Sequence, residues 1–497
     1  MLTRLKVTGF KNLVDVDVHF GPFTCIAGPN GVGKSNLFDA IRFLSALADR
    51  TFMDAAKSVR DESGRTGDIH ALFHHVGDKA ADRMRFEAEM IVPSTGTDDL
   101  GQRATTKTTY LRYAVELEYR PDGPDPARGN LELVEEELER IRTGGKQSVR
   151  FPHSPDWLHS VIRNTNREAP FISTERGSRG KRFICEHQDP GRGRYRRRPA
   201  ELLPRTVLSA VSTSESPTAL LARREMQSWR LLHLEPTALR RPDEFASQAR
   251  LGADGSHLPA TLYRLSREGE RGASGIGDAY GRVAARLHDL IHDIRSIRVD
   301  RDEKRELLSL VATDRYRTPV AARALSDGTL RFLALTVLEL DPEAVGVICF
   351  EEPENGIHPA RIPAMLRLLQ DIAVDPTLPV GPDNPLRQIV VNTHSPAVVA
   401  NLEDACLLGA VPTSTVEGGR RSQVLSFRAL PETWRARLSP PAPDLALNHI
   451  SWYLHNGGMP ARDPAPETNG HHEPGRPRLV RDREDVRAAF VGLGTDE

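Results

Sequence analysis

Residues 28–35 read Gly-Pro-Asn-Gly-Val-Gly-Lys-Ser, a complete G-x-x-x-x-G-K-[ST] pattern. No other feature constrains the fold as much, because this loop works in one setting, between a buried strand and the start of a helix. Both flanks are present. Phe23 to Ala27 is a short apolar run, and Ser35 to Ala48 places Leu37, Ile41, Leu44 and Ala48 on one helical face. The residue types define the chemistry. Gly28, Gly31 and Gly33 let the backbone turn so that its N–H groups, Asn30 among them, face phosphate oxygens. The helix start adds the positive end of its dipole, with Asn36 in the first turn. Lys34 is expected to reach β- and γ-phosphates, and the Ser35 hydroxyl a Mg²⁺ ion.

A second half of such a site lies about 290–360 residues further on. Ala344 to Phe350 is a continuous apolar run, as in a central parallel strand, and it ends in Glu351-Glu352-Pro353-Glu354. Acids at the carboxyl end of such a strand stand where open α/β sheets place ligands. One carboxylate, Glu351, can hold Mg²⁺ or its water, and the next, Glu352, can polarise an attacking water. Upstream, Ser326 and Gly328 in Leu325-Ser326-Asp327-Gly328-Thr329 open a helical stretch and form a second anion site. Downstream, Gln388 to Thr393 is another buried strand, running into His394-Ser395-Pro396.

The order of these elements, with "GFKNL" at Gly9 to Leu13 and "GADGSHLPATLYRL" at Gly252 to Leu265, resembles the ABC-type ATPases of the RecF, SMC and OLD group. Within it the chain is most similar to compact bacterial AAA family ATPases, many of them subunits of phage-defence systems. The resemblance implies an α/β fold: an ABC-type P-loop ATPase head with a mixed central sheet, an antiparallel β subdomain and a mainly helical insertion. It implies ATP and Mg²⁺ as cofactors, bound by Gly28, Asn30, Gly31, Gly33, Lys34, Ser35 and Asn36. Ser35 and Glu351 would hold the metal, Glu352 would be the catalytic glutamate, and His394 the switch histidine. Ser326 and Gly328 would be the signature, contacting the γ-phosphate of ATP held by a second subunit and giving an ATP-sandwiched dimer or higher oligomer. Three departures stand out. Position 351 is Glu where the general pattern has Asp, Asp327 puts a negative charge into the signature, and no glutamine lies between the first helix and Gln102.

The 497 residues give a prior of about three domain-sized units. The reading divides them into an N-terminal half of the head (1–145), an insertion, mixed then mainly helical (146–300), a C-terminal half of the head (301–430) and an extension (431–497). Within the extension, residues 456 to 478 read as a linker and 482 to 493 as a short helix. Alternation in Leu13 to Phe20, Met84 to Met90 and Tyr113 to Tyr119 marks half-buried antiparallel strands. Lys and Arg total 67 against 68 Asp and Glu, which excludes a globally basic nucleic-acid coat. The densest basic run, Arg192 to Arg198 with Arg176, Arg179, Lys181 and Arg182 upstream, is a candidate contact for double-stranded DNA. Four dispersed cysteines with no CxxC pair imply neither a zinc site nor a disulfide framework, and no apolar run approaches membrane-spanning length. A cytoplasmic location with no membrane partner is expected. With about 65 residues after the core, too few for a Toprim nuclease, an effector in trans, nuclease or toxin, is expected, in antiviral defence. A RecF-like DNA repair or recombination ATPase is the alternative. A transporter's nucleotide-binding subunit and an ATP-binding scaffold are further readings.

Overall fold

The computed structural model describes residues 1–60, 69–77, 79–121, 129–142, 149–189, 195–212, 215–270, 278–290, 294–417, 420–438 and 477–486. Two sheets organise it. The first is an eight-stranded antiparallel sheet in the order Tyr195–Pro199, Arg182–His187, Ile172–Arg176, Gly129–Arg140, Tyr110–Pro121, Arg83–Ile91, Leu2–Phe10 and Leu13–His19. Alternation produces it. In Arg83–Ile91 the even-numbered residues Met84, Phe86, Ala88 and Met90 are fully buried, while the arginines and glutamates between them line the other face. On that face Arg85 bridges Glu87 and Glu135, and Arg112 bridges Glu87 and Glu139.

The second sheet is the mixed, central one. Its order is Arg230–Leu232, Gly346–Glu351, Arg387–Thr393, Phe23–Ala27, Leu407–Glu417 and Arg420–Ala429. The first five strands are parallel and the last pairs antiparallel. The inner strands are buried almost throughout and mostly apolar because helices and the other sheet cover both faces. The helix Lys34–Leu47 packs between the sheets, with Leu37, Phe38, Phe43 and Leu44 at most 1% exposed. On the opposite side lie Asp327–Leu340 and Ile362–Ile372. Asp327–Leu340 is apolar nearly all round and buried accordingly, from Leu330 to Leu338. Each of its fully buried Leu or Phe side chains contributes about 1.5–3 kcal/mol.

The stretch 146–300 opens with the short helix Pro155–Val161, followed by strands that extend the antiparallel sheet to Pro199. Gly, Pro and Arg interrupt them, which is why they carry little periodic signal. The helices Pro217–Gln227, Leu258–Glu270 and Ala279–Leu290 follow. A small sheet pairs Ile294–Asp302 and Asp243–Glu244 with Leu307–Asp314, which also pairs with Pro319–Ala321 just before the signature. The linker expected at 456–478 lies outside the described residues except for its end, as does the helix expected at 482–493 beyond residue 486. Among the described residues no helix is long and apolar enough to cross a membrane.

Candidate functional site

Three parallel strands deliver the site. Phe23–Ala27 runs into the glycine loop, Gly346–Glu351 into Glu352, and Arg387–Thr393, which lies between them, into His394. Register aligns their ends: Asn392 is opposite both Glu351 and Ile26, and Thr393 is opposite Ala27. The motifs at 28–35, 351–354 and 392–395 therefore meet at one carboxyl edge of the sheet, although more than 300 residues separate the first from the others.

The loop has the backbone its glycines predict. Gly31 (φ 80°) and Gly33 (φ 94°) are left-handed, and Gly33 caps the helix Lys34–Leu47. Gly33 also has no room for a side chain, since a Cβ there would stand 2.2 Å from Asn12 Nδ2. Asn12 buttresses the loop: its Nδ2 donates to Val32 O at 2.9 Å, and its Oδ1 accepts from Asn36 Nδ2 at 2.8 Å. Asn36 thus faces Asn12. The Lys34 ammonium curls over the loop and donates to Gly28 O (2.7 Å) and Pro29 O (2.8 Å). Burial lowers its pKa below the usual lysine value, against the charges of Glu352, Glu354 and Glu351. Ser35 is exposed at the mouth.

Glu352 is unusual. Its backbone is left-handed (φ 46°), a conformation that costs a non-glycine residue about 1–3 kcal/mol and persists where neighbours enforce it. Here Asn392 enforces it, with Glu352 N donating to both its backbone and its side-chain oxygen at 3.1 Å. The carboxylate accepts from Asn355 Nδ2 at 2.9 Å and is joined to His394 Nδ1 at 2.5 Å. Burial pushes its pKa up, but these two bonds and the charges of His394 and Lys34 outweigh burial and hold it below the ordinary glutamate value. The group is an ionised acceptor, the state a proton acceptor needs. Glu351 ends its strand with Oε1 3.4 Å from Asn392 Nδ2.

Glu354, 7% exposed, accepts a bond from Thr393 Oγ1, which itself accepts from Ser395 N at 2.9 Å. The His394 turn is therefore pinned on both sides, by Glu354 through Thr393 and by Glu352 directly. Asn12, Asn392 and Thr393 are not among the candidate site residues read from the sequence. A polar pair closing an apolar strand, as Asn392 and Thr393 do at 2% and 0% exposure, is the signal that points to those two.

The donor set suits a hard cation. Ser35 and Glu351 offer oxygen alone, and no cluster of three or more His, Cys, Asp or Glu that could hold a metal occurs among the described residues. A site of one or two protein oxygens, completed by phosphates and water, fits Mg²⁺ rather than zinc.

Ser326 caps the helix Asp327–Leu340, its Oγ accepting from Thr329 N at 3.2 Å. Gly328 packs on the loop after Glu354, where a Cβ would lie 3.0 Å from Gly356 O. Asp327 turns to Arg240, with Nη2 to Oδ1 at 2.5 Å. Most of the basic run is ion-paired where it is described. Arg196 pairs with Glu215 (2.7 Å), Arg198 with Glu186 (3.0 Å) and Arg182 with Glu132 (3.4 Å). Arg197 lies over Phe183 at 3.7 Å and faces Glu175. Arg192 and Arg194 lie outside the described residues.

Known proteins match parts of this chain. A family profile described as "AAA domain, putative AbiEii toxin, Type IV TA system" matches residues 183–400, and one described as "RecF/RecN/SMC N terminal domain" matches residues 1–91. The DNA replication and repair protein RecF of Phocaeicola vulgatus is 35% identical over 63 residues, 12% of this chain and 17% of that protein. The OLD nuclease of Thermus scotoductus is 51% identical over 41 residues, 8% of each. The chromosome partition protein Smc of Bordetella petrii is 32% identical over 124 residues, 24% of this chain and 9% of that protein. The chain thus spans less than a fifth of the length of these relatives. A solved SMC head bound to the C-terminal winged-helix domain of ScpA aligns over 86% of this chain and 98% of that one, at 14% identity and a TM-score of 0.46.

Proposed function

Because this chain is an ABC-type ATPase of the RecF/SMC/OLD group, we propose that it works as a nucleotide-driven switch, closing as a dimer around ATP and reopening on hydrolysis. The carrying observation is Glu352, an ionised carboxylate in a strained backbone, bonded to His394 and sharing a sheet edge with the glycine loop. In this reading the 28–35 N–H groups and Lys34 hold the β- and γ-phosphates, Lys34 leaving its carbonyl contacts to do so. Mg²⁺ held by Ser35 and Glu351 would supply charge neutralisation on the phosphate oxygens when bound. Glu352 accepts the proton of the attacking water as its oxygen bonds to the γ-phosphorus and the bond to the β-phosphate oxygen breaks, giving ADP and phosphate. His394 orients Glu352 and faces the γ-phosphate. Ser326 and Gly328 meet the γ-phosphate of ATP on the partner subunit.

The finer role proposed is gating of an effector, nuclease or toxin, in antiviral defence. The toxin-system wording of the matching profile and the OLD nuclease relative favour it. Duplex DNA is the candidate trigger, and the ion pairs of the 196–198 strand argue against that strand as its main contact. The test is steady-state ATP hydrolysis with and without duplex DNA, beside Glu352→Gln. Turnover that Glu352→Gln abolishes supports the site. Stimulation by DNA would favour the DNA-responsive form, and indifference to DNA an effector protein as the missing partner. An unchanged rate in Glu352→Gln would move the proton acceptor elsewhere.

A further inference from the structure

Asp327 is a carboxylate at the first position of a 14-residue helix, 51% exposed, next to the Ser326 cap. An acid there suits the helix dipole of the isolated subunit. It is the wrong charge for a helix start that receives a triphosphate, since like charges a few ångströms apart repel strongly once water is excluded. Arg240, from a distant part of the chain, answers both needs. It follows the short helix Pro236–Leu239, and one nitrogen, Nη2, donates to Asp327 Oδ1 at 2.5 Å and to Leu325 O at 2.9 Å. The guanidinium thus cancels the carboxylate and fixes the carbonyl just ahead of the cap.

The Arg240 segment is itself firmly held. Arg240 N donates to Pro236 O at 3.2 Å, and Arg241 N to Ala238 O at 3.1 Å. Beyond it Asp243–Glu244 pairs with Leu307 and Leu308, while buried Asp243 accepts from Ala260 N at 2.9 Å at the start of Leu258–Glu270. On its other side the signature turn rests on Gly356 through Gly328. The first turn is therefore clamped between a cation and a backbone loop, with the Asp327 carboxylate turned to that cation.

We propose that Arg240 is a positioning residue of the composite ATP site, neutralising and turning aside Asp327 so that this helix start accepts the γ-phosphate of ATP bound to a second copy of the chain. This rests on the dimer reading above, and the experiment separates the two. Association is followed by sedimentation in the Glu352→Gln background with ATP, together with ATP affinity at protein concentrations below dimerisation and melting temperature without nucleotide. Adding Arg240→Ala weakens ATP-dependent association tenfold or more, while ATP affinity of the monomer and melting temperature stay at the parent's values. Adding Asp327→Asn to that variant restores association, and Asp327→Asn alone associates at least as tightly as the parent. Arg240→Ala associating like the parent would overturn the proposal, as would failure of Asp327→Asn to rescue it. If Arg240→Ala does not fold, the single Asp327→Asn variant decides, since weaker association there removes the charge argument. A parent that binds ATP yet stays monomeric would instead sink the dimer reading, and the Arg240 proposal with it.

Discussion

Lys34 and Glu352 carry opposite charges that act on each other at this sheet edge, and each is held by hydrogen bonds. Lys34 donates to two carbonyls of its own loop, and in the proposed function phosphate oxygens replace them. Lys34→Ala therefore abolishes ATP binding, and retained micromolar affinity by calorimetry would contradict the loop assignment. His394 bonds the carboxylate argued to take the proton. His394→Ala lowers kcat at least tenfold with little change in KM, consistent with a charge-assisted bond of about 1.5–3 kcal/mol. A KM effect alone would reduce His394 to a binding role. The residue types of this site were legible in the sequence because each stands beside an apolar run. The left-handed turn at Glu352 was not, because a strand ending in two glutamates says nothing of the asparagine, 40 positions away, that bends it.

Elements hold the site in shape. Asn12, in the turn between the first two strands, braces the glycine loop from outside the nucleotide-binding motifs. Asn12→Ala raises the KM for ATP about tenfold, the equivalent of roughly 1.4 kcal/mol, at unchanged fold by circular dichroism. A second tie joins the sheets' surroundings. Glu136, in the strand Gly129–Arg140, is fully buried and accepts from Val207 N (2.7 Å), Leu208 N (2.9 Å) and Tyr113 Oη (3.2 Å). Burial raises its pKa to about 7, against those bonds. A carboxyl whose pKa is higher folded than unfolded adds stability that is full below the unfolded value and is lost as pH rises through the folded one. Stability from this group thus falls between about pH 4.5 and 7, by roughly 3 kcal/mol in all. Glu136→Gln flattens that part of the pH–stability curve while lowering stability at acidic pH, because one amide donor loses its acceptor. Denaturant melts at several pH values check this, and an unflattened curve would place the titration elsewhere. Alternation made the long strands readable, as in Arg83–Ile91. It failed in 146–200, where Tyr195–Pro199 is mostly arginine and its register is set by ion pairs and a ring contact rather than by burial.

At the scale of the whole molecule, the chain brings its glycine loop, Glu352 and His394 to one edge, while Ser326 and Gly328 open a helix that packs on the loop behind them. In the proposed function that helix start binds the γ-phosphate of ATP held by a second copy, so the proposal needs two copies. Two copies facing each other give each ATP a partner's signature, and that is the central claim. It is tested most directly by the mass in solution of Glu352→Gln with ATP, with ADP and without nucleotide. The account predicts a dimer or higher assembly with ATP alone, reversed by Ser326→Arg, which keeps ATP binding and blocks the helix start. ATP-saturated protein that keeps the mass it has with ADP would contradict it.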